Sequence, residues 1–165
     1  MNEIETLLAY YRFSRGQTLG LLQKIEESGE AATVLGWRPG PGRAHLAWQL
    51  MHIGITEELF ATERLVPGSV AGFADLVPRF KGGSTPDDRI PSVSDIREVL
   101  NASRAHLEAT LSRFTPAQLD EVPEPLKERG WTLRTVLNVL GWHEAHHQGQ
   151  AHITFNLYKA RAEKR

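Results

Sequence analysis

The longest helical pattern in the chain is TLRTVLNVLGWHEAHHQGQAHITFNLYKA, which spans residues 132–160. Its apolar residues Leu133, Val136 and Leu140 recur at steps of three and four, so they share one face of an α-helix. The same steps lead along that face to four polar residues, which are His143, His147, Gln150 and Thr154. The pattern therefore predicts a helix that presents aliphatic and then polar side chains to the core.

Three more amphipathic patterns precede this one, and each predicts a further long helix. They cover residues 2–27, 43–64 and 92–114. Ser92 and Asp95 give the third pattern a capping-box-like start, in which a hydroxyl and a carboxylate satisfy unpaired backbone N–H groups. No segment alternates apolar and polar residues as a half-buried strand does. The fold class is therefore predicted to be all-α.

The connections between the predicted helices differ in length. Residues 65–92 are rich in Gly, Pro and Asp; within them, residues 81–86 predict a long surface loop and residues 73–80 a short helix. Residues 115–120 predict a single helical turn, and residues 121–130 predict a connector. The chain is thus predicted to form one domain, residues 1–165, folded as a four-helix bundle with a long loop between its second and third helices.

The composition excludes several classes of protein. The chain has 165 residues, of which 41% are hydrophobic and 24% charged, as expected for a globular domain. Its formal net charge of −1 gives no electrostatic footprint for nucleic acid or an anionic membrane. The absence of cysteine excludes a disulfide, a thiol nucleophile and a cysteine-ligated metal. Because no apolar run could span a bilayer and the N-terminus lacks a signal-peptide layout, we expect a soluble cytoplasmic protein.

Histidines are the unusual feature of this composition, since four of the seven lie within residues 143–152. Burying an unpartnered polar group costs about 1–3 kcal/mol, so core-facing histidines need partners. His143 and His147 are one helical turn apart, close enough to bind one metal ion. A third ligand is available on the second helix, where His45 and His52 share a face. We prefer His52, which lies mid-helix, and hold His45 in reserve as an exposed residue of the first turns.

The same run matches H-E-x-x-H, in which two histidines bind zinc and the glutamate is the general base of a metalloprotease. The extended metzincin form needs a glycine and a third histidine downstream, where this chain has Gln150 and Ile153. Such proteases also hold their substrate against a sheet edge, and no strand is predicted. Glu144 lies about 100° around the helix from His143, so we expect it to face a neighbouring helix or solvent. The pattern therefore does not favour a protease.

Taken together, these features resemble the DinB/YfiT-like superfamily of metal-dependent enzymes over essentially the whole chain. The long first helix carries the paired aromatics Tyr10 and Tyr11, and W-x-P at residues 37–39 leads into the helix that holds His52. The run HEAHHQGQ, residues 143–150, is similar to the superfamily signature H-x-x-H-H-x-G-Q.

The resemblance implies a bundle that binds a divalent metal ion, nickel or zinc, through His52, His143 and His147. Gln150 occupies the last position of the signature, where it would orient a ligand or a bound water. Gln148 stands where many relatives carry a basic residue, so a role in anion binding is not carried over to it. The resemblance also implies a homodimer.

A reaction class follows from the same resemblance. Three neutral histidine ligands leave the ion its full charge and an open coordination position, which is typical of a catalytic site. Characterised relatives depend on low-molecular-weight thiols. We therefore expect the ion to activate a small thiol, or water, for attack on a small electrophilic substrate, as in an S-transferase or hydrolase. Since the chain has no cysteine, that thiol must come from a separate molecule.

The roles of several other residues stay open at this point, and no general base is assigned. Glu57 and Glu58, one turn beyond His52, are candidates to orient a ligand, although a solvated helix face is their more common role. Trp142 is a candidate to contact substrate, although tryptophan more often packs in a core or an interface. The remaining histidines are expected not to be ligands, namely His106, His146 and His152.

A non-catalytic bundle is the alternative function. Its histidines would be hydrogen-bonded core residues, or its metal would be structural, or it would act as a stress-related binding module. A solvent-reached cavity beside the histidines would favour the enzyme. A filled coordination sphere without a cavity would favour the alternative.

Overall fold

Helices form the whole of the regular secondary structure in residues 1–162, the part of the chain that the computed structural model describes. The α-helices are α1 (Glu3–Glu27), α2 (Ala31–Gly36), α3 (Leu46–Leu59), α4 (Val77–Phe80), α5 (Val93–Leu111) and α6 (Leu133–Ala162). A π-helical turn, Phe60–Arg64, continues α3, and two 3₁₀ turns span Pro116–Gln118 and Glu124–Arg129.

The four long helices close a bundle. α3 packs against α5 and α6, and α1 packs against the same two helices. α1, α5 and α6 each bury one side against their neighbours, as helices of a bundle do, whereas α3 is buried on nearly every side. The predicted all-α fold is confirmed. Within residues 1–162, none of these helices combines the length and the apolar character needed to cross a membrane.

Local capping explains where the long helices begin. Ser92 caps α5 through a capping box with Asp95, as predicted. The second long helix begins at Leu46 rather than near residue 43, because the ring of His45 accepts a hydrogen bond from the backbone N–H of Trp48. The helix α2 and the 3₁₀ turn before α6 were not predicted, since six residues are too few to show a helical period.

A layer of polar side chains divides the core into two apolar clusters. One cluster includes Leu22, Ile25 and Leu50, and the other includes Leu107 and Val136. Along α1, α5 and α6 the polar residues lie between the positions that belong to the two clusters. We call this set the polar layer; its buried charged and hydroxyl members are Arg15, Thr18, Glu57, Ser103, Arg104 and Glu144.

The loop between α3 and α5 folds onto the bundle at its centre, whereas residues 81–86, the predicted surface loop, are mostly exposed. The predicted short helix is present as α4, and Phe80 at its end is buried in the core. Arg79 clamps Asp87 through two hydrogen bonds of 2.8 and 2.9 Å. This guanidinium holds the pKa of Asp87 well below its usual range. The clamp fixes the loop beside the middle of α3.

Candidate metal centre

Three histidines from two helices converge beside the polar layer. His52 comes from the middle of α3, and His143 and His147 come from successive turns of α6. Each offers one ring nitrogen, and these three atoms lie within 4.8 Å of one another. We call this group the histidine cluster. The structure thus brings together the three histidines that the sequence singled out.

Two rings of the histidine cluster are oriented by hydrogen bonds on their outer nitrogens. Nδ1 of His52 lies 2.6 Å from the backbone carbonyl oxygen of Phe80, and Nδ1 of His147 lies 2.6 Å from Oε1 of Gln49. Because a carbonyl oxygen only accepts, each Nδ1 carries the proton and each Nε2 keeps a lone pair. Histidine ligands of metals are commonly held in this way.

Stacking fixes the ring of His52 further. The indole of Trp48 lies parallel to it, with ring centroids 4.5 Å apart and an angle of 16°. Nε1 of Trp48 donates to the carbonyl oxygen of Arg79 at 3.2 Å. The loop around α4 therefore holds His52 twice, through the Phe80 carbonyl and through the tryptophan.

The surroundings keep the cluster neutral. Burial lowers the pKa of His143 to about 3 and that of His147 to about 4, and neighbouring imidazoles act in the same direction. Burial also lowers the pKa of His52. Since a metal binds the unprotonated imidazole, these shifts suit ligands that are ready at neutral pH.

The spacing of the cluster fits a metal ion. Nε2 of His52 lies 3.1 Å from Nε2 of His143. Two nitrogens bound to one ion at about 2.1 Å would be roughly 3.0–3.4 Å apart, depending on the coordination geometry. The same distance suits a hydrogen bond donated by His143 in the metal-free protein. Metal binding would then require the proton of His143 to reside on Nδ1.

A cavity of about 210 Å³ opens beside the histidine cluster. His52, Thr56 and His143 form its polar floor, and Arg64 lies at its wall. Most of its remaining wall is apolar and comes from Leu59, Phe60, Trp131, Val139 and Leu140. A ligand in this cavity would therefore face two of the three candidate metal ligands.

His45 has a structural role, and the expectation that it is exposed is wrong. It is fully buried, and its Nδ1 accepts the backbone N–H of Trp48. Its Nε2 therefore carries the proton, which it donates to the carbonyl oxygen of Asp87 at 3.0 Å. Both nitrogens are used, so His45 has no lone pair to offer a metal.

Glu144, the glutamate of the H-E-x-x-H match, faces away from the histidine cluster. It is 3% exposed and lies in the polar layer. Its carboxylate accepts hydrogen bonds from Arg15 and Arg104 at 2.8 and 2.6 Å, and from the hydroxyl of Thr18 at 2.8 Å. A carboxylate so engaged is not a free general base, which argues against the protease interpretation.

Glu57 and Glu58 are both buried, so a solvated helix face is wrong for them. Glu57 pairs with Arg15 at 2.8 Å and with Arg104 at 2.6 Å. Glu58 lies 3.1 Å from Nδ1 of His106 and accepts the backbone N–H of Gly72 at 2.7 Å. Glu57 therefore belongs to the ion pairs of the polar layer, and Glu58 ties the loop to α5.

Gln150 and Trp142 lie on the exposed side of α6, where Gln150 is also within hydrogen-bonding reach of His147. The amide nitrogen of Gln150 is 3.0 Å from Nε2 of His146, and Trp142, which is 61% exposed, stacks on the same ring. Neither residue lines the 210 Å³ cavity. His146 and His152 are exposed on the same helix, consistent with their expected lack of a ligand role.

Sequence reasoning missed three groups that form this site and assigned the fourth, Trp48, to core packing. Gln49 carried a usable signal, because it lies three residues before His52 and is polar within the apolar run LAWQLM. Arg64 and Trp48 carried weaker signals. Arg64 is a charged residue near the end of the second predicted helix, and Trp48 is an aromatic residue near its start. The carbonyl of Phe80 carried none, since a backbone atom leaves no trace in the residue type.

One comparison with known proteins gives a match. The family model described as DinB superfamily matches residues 10–151, a range that includes the whole histidine cluster. No curated protein and no solved structure is significantly similar to the chain.

Proposed function

This chain belongs to the DinB superfamily, and from that premise we propose that it is a metal-dependent enzyme. His52, His143 and His147 would hold one divalent ion, nickel or zinc. The reaction would be the attack of a low-molecular-weight thiol, or of water, on a small electrophilic substrate. The enzyme would thus be an S-transferase or a hydrolase.

The observation that carries this proposal is the cavity beside the histidine cluster. A structural metal site is closed by its protein ligands, whereas a catalytic site keeps a position open to substrate. Here His52 and His143 form part of the floor of a 210 Å³ cavity. This favours the enzyme over the non-catalytic bundle.

The chain's own residues prepare the site for this chemistry. When bound, the ion supplies positive charge that lowers the pKa of a thiol or a water molecule at its open position. Gln49 and the Phe80 carbonyl hold two imidazoles with their lone pairs inward. Leu59 and Leu140 give the cavity part of its apolar wall. Because no acidic residue in the described part of the chain lines the cavity, the proton of the attacking thiol would be released to solvent.

The reaction class can be tested with a chromogenic electrophile. In S-transfer to 1-chloro-2,4-dinitrobenzene, a carbon–sulfur bond forms and chloride leaves with its bonding electron pair. We expect protein loaded with Ni²⁺ or Zn²⁺ to accelerate this reaction with at least one small thiol. His147→Ala should return the rate to the uncatalysed level, and His152→Ala, on the exposed side of α6, should not. Absence of turnover with every thiol would favour the non-catalytic bundle, and full turnover in His147→Ala would refute the histidine cluster as the site of the reaction.

Gln49 should matter more for metal binding than Gln148. The hydrogen bond from His147 to Gln49 fixes the tautomer that presents Nε2. We expect Gln49→Leu to weaken Zn²⁺ binding about 10–100-fold, as is usual for loss of a ligand's hydrogen-bond partner. Isothermal titration calorimetry measures the effect, with Gln148→Leu, on the side of α6 that faces Gly16 and Gln17, as the matched control. Equal losses in the two variants would contradict the assignment.

A further inference from the structure

Arg64 is a cationic side chain without an anionic partner in the wall of the cavity. It ends the π-helical turn that continues α3, and such turns are frequent at functional sites. Its guanidinium carbon lies 4.4 Å from the centre of the Phe60 ring. Among residues 1–162, it forms no ion pair.

The surroundings of Arg64 leave its charge uncompensated. Burial and the nearby Arg129 lower its pKa, and the neighbouring Glu63 offsets this only in part. The two buried carboxylates of the polar layer are not available to it, since Glu57 and Glu144 each bind two arginines. An arginine stays protonated even so, because its ordinary pKa is above 12.

An anion is the ligand that would best complete this environment. Apart from Arg64, the residues that line the cavity are apolar or uncharged. The cavity volume is below the roughly 300–1,000 Å³ of drug-sized pockets. A guanidinium binds carboxylates through short, charge-assisted hydrogen bonds. Trp131 and Phe60, which also line the cavity, offer apolar surface to the rest of such a ligand.

We infer that the small molecule bound in this cavity is a carboxylate with a short apolar body, and that Arg64 is the residue that selects it. This inference rests on the proposed function, according to which the reacting end of the substrate lies beside His52 and His143. It names the class of substrate that the proposed enzyme takes. Arg64 would act in specificity rather than in the chemical step.

Phenylacetate and phenylacetamide are suitable probes, because they differ in charge but hardly in shape. The indole N–H resonance of Trp131, assigned with Trp131→Phe, reports on the cavity in two-dimensional NMR. We expect phenylacetate to bind about tenfold more tightly than the amide, a typical effect of one hydrogen bond to a charged group. Arg64→Met should abolish this preference, and Arg64→Lys should keep part of it.

Arg129→Met is the matched control. Arg129 lies over the Trp131 ring at 5.3 Å but does not line the cavity. Its replacement should leave the preference for phenylacetate intact. A preference that survives in Arg64→Met, or that disappears in Arg129→Met, would overturn the inference. Circular dichroism of each variant establishes that it is folded.

The titrations are made on both metal-free and Zn²⁺-loaded protein, with metal content measured in parallel. If the wild type binds no metal, the proposed function fails, and the metal-free titration still tests Arg64. If metal is bound and no preference for the carboxylate is seen, the inference fails while the proposed function stands. The two failures are therefore distinguishable.

Discussion

Alanine in place of His52, His143 or His147 is expected to lower the affinity for Zn²⁺ or Ni²⁺ by more than about 100-fold. Loss of a ligand's hydrogen-bond partner alone costs about 10–100-fold, and these changes remove the ligand itself. The three nitrogens that converge within 4.8 Å would be reduced to two. Metal analysis of the purified variants, followed by competition with a chromogenic chelator, measures the loss.

His146→Ala and His152→Ala are the controls for this experiment. Both histidines lie on α6 within a turn or two of the cluster, and both are exposed. We expect each control to keep one equivalent of metal at the affinity of the wild type. One equivalent of tightly bound metal in all three cluster variants would refute the assignment. His143 and His52 would then serve only to hydrogen-bond each other.

Thermal unfolding gives an independent readout of the same site. A ligand that binds only the folded state stabilises it by about 2.7 kcal/mol at a concentration of 100 times its Kd. Added Zn²⁺ should therefore raise the Tm of the wild type and of His152→Ala. It should leave the Tm of His143→Ala nearly unchanged.

The sequence was sufficient to predict the bundle and the convergence of the histidines. Long helices reveal themselves through many repeats of one period, and a helix has only one core-facing side. Once Leu133 and Leu140 define that side in α6, the positions of His143 and His147 follow. The predicted homodimer, in contrast, stays a prediction, since contacts within one chain do not report on a second copy.

The buried charges could not be predicted for a physical reason. An acidic residue on a helix is usually solvated, unless a cation from another element offsets the free-energy cost of removing its charge from water. The partners of Glu57 and Glu144 are Arg15 on α1 and Arg104 on α5, which are far away in sequence. Their proximity is a result of the fold, and no local pattern encodes it.

Loss of the Glu144 charge is expected to destabilise the fold strongly. The polar layer holds two arginines and two glutamates, so its charges cancel, and all four side chains are buried. Glu144→Gln would leave Arg15 and Arg104 with Glu57 as their one remaining anion. Removing one partner of a buried ion pair costs about 3–5 kcal/mol. Urea denaturation of the metal-free protein measures this change in the free energy of unfolding.

Glu108→Gln is the matched control, because Glu108 pairs with Arg12 at the surface. Breaking an exposed pair should cost at most about 1 kcal/mol. A similar cost for both variants would show that the polar layer is more solvated than its burial indicates.

The double variant Arg104→Met/Glu144→Leu distinguishes two contributions to the free energy of unfolding. One is the cost of leaving a buried arginine without its carboxylate, and the other is the net contribution of the ion pair. Apolar replacement of both partners of a buried ion pair is often neutral. Nη1 of Arg104 is moreover a buried nitrogen without a hydrogen-bond partner within residues 1–162, so its removal relieves an existing penalty. We therefore expect the double variant to be more stable than Glu144→Gln. It should also bind Zn²⁺ within a few-fold of the wild type, because Glu144 faces away from the histidine cluster. A loss of metal binding equal to that of His143→Ala would instead show that Glu144 contributes to the metal site.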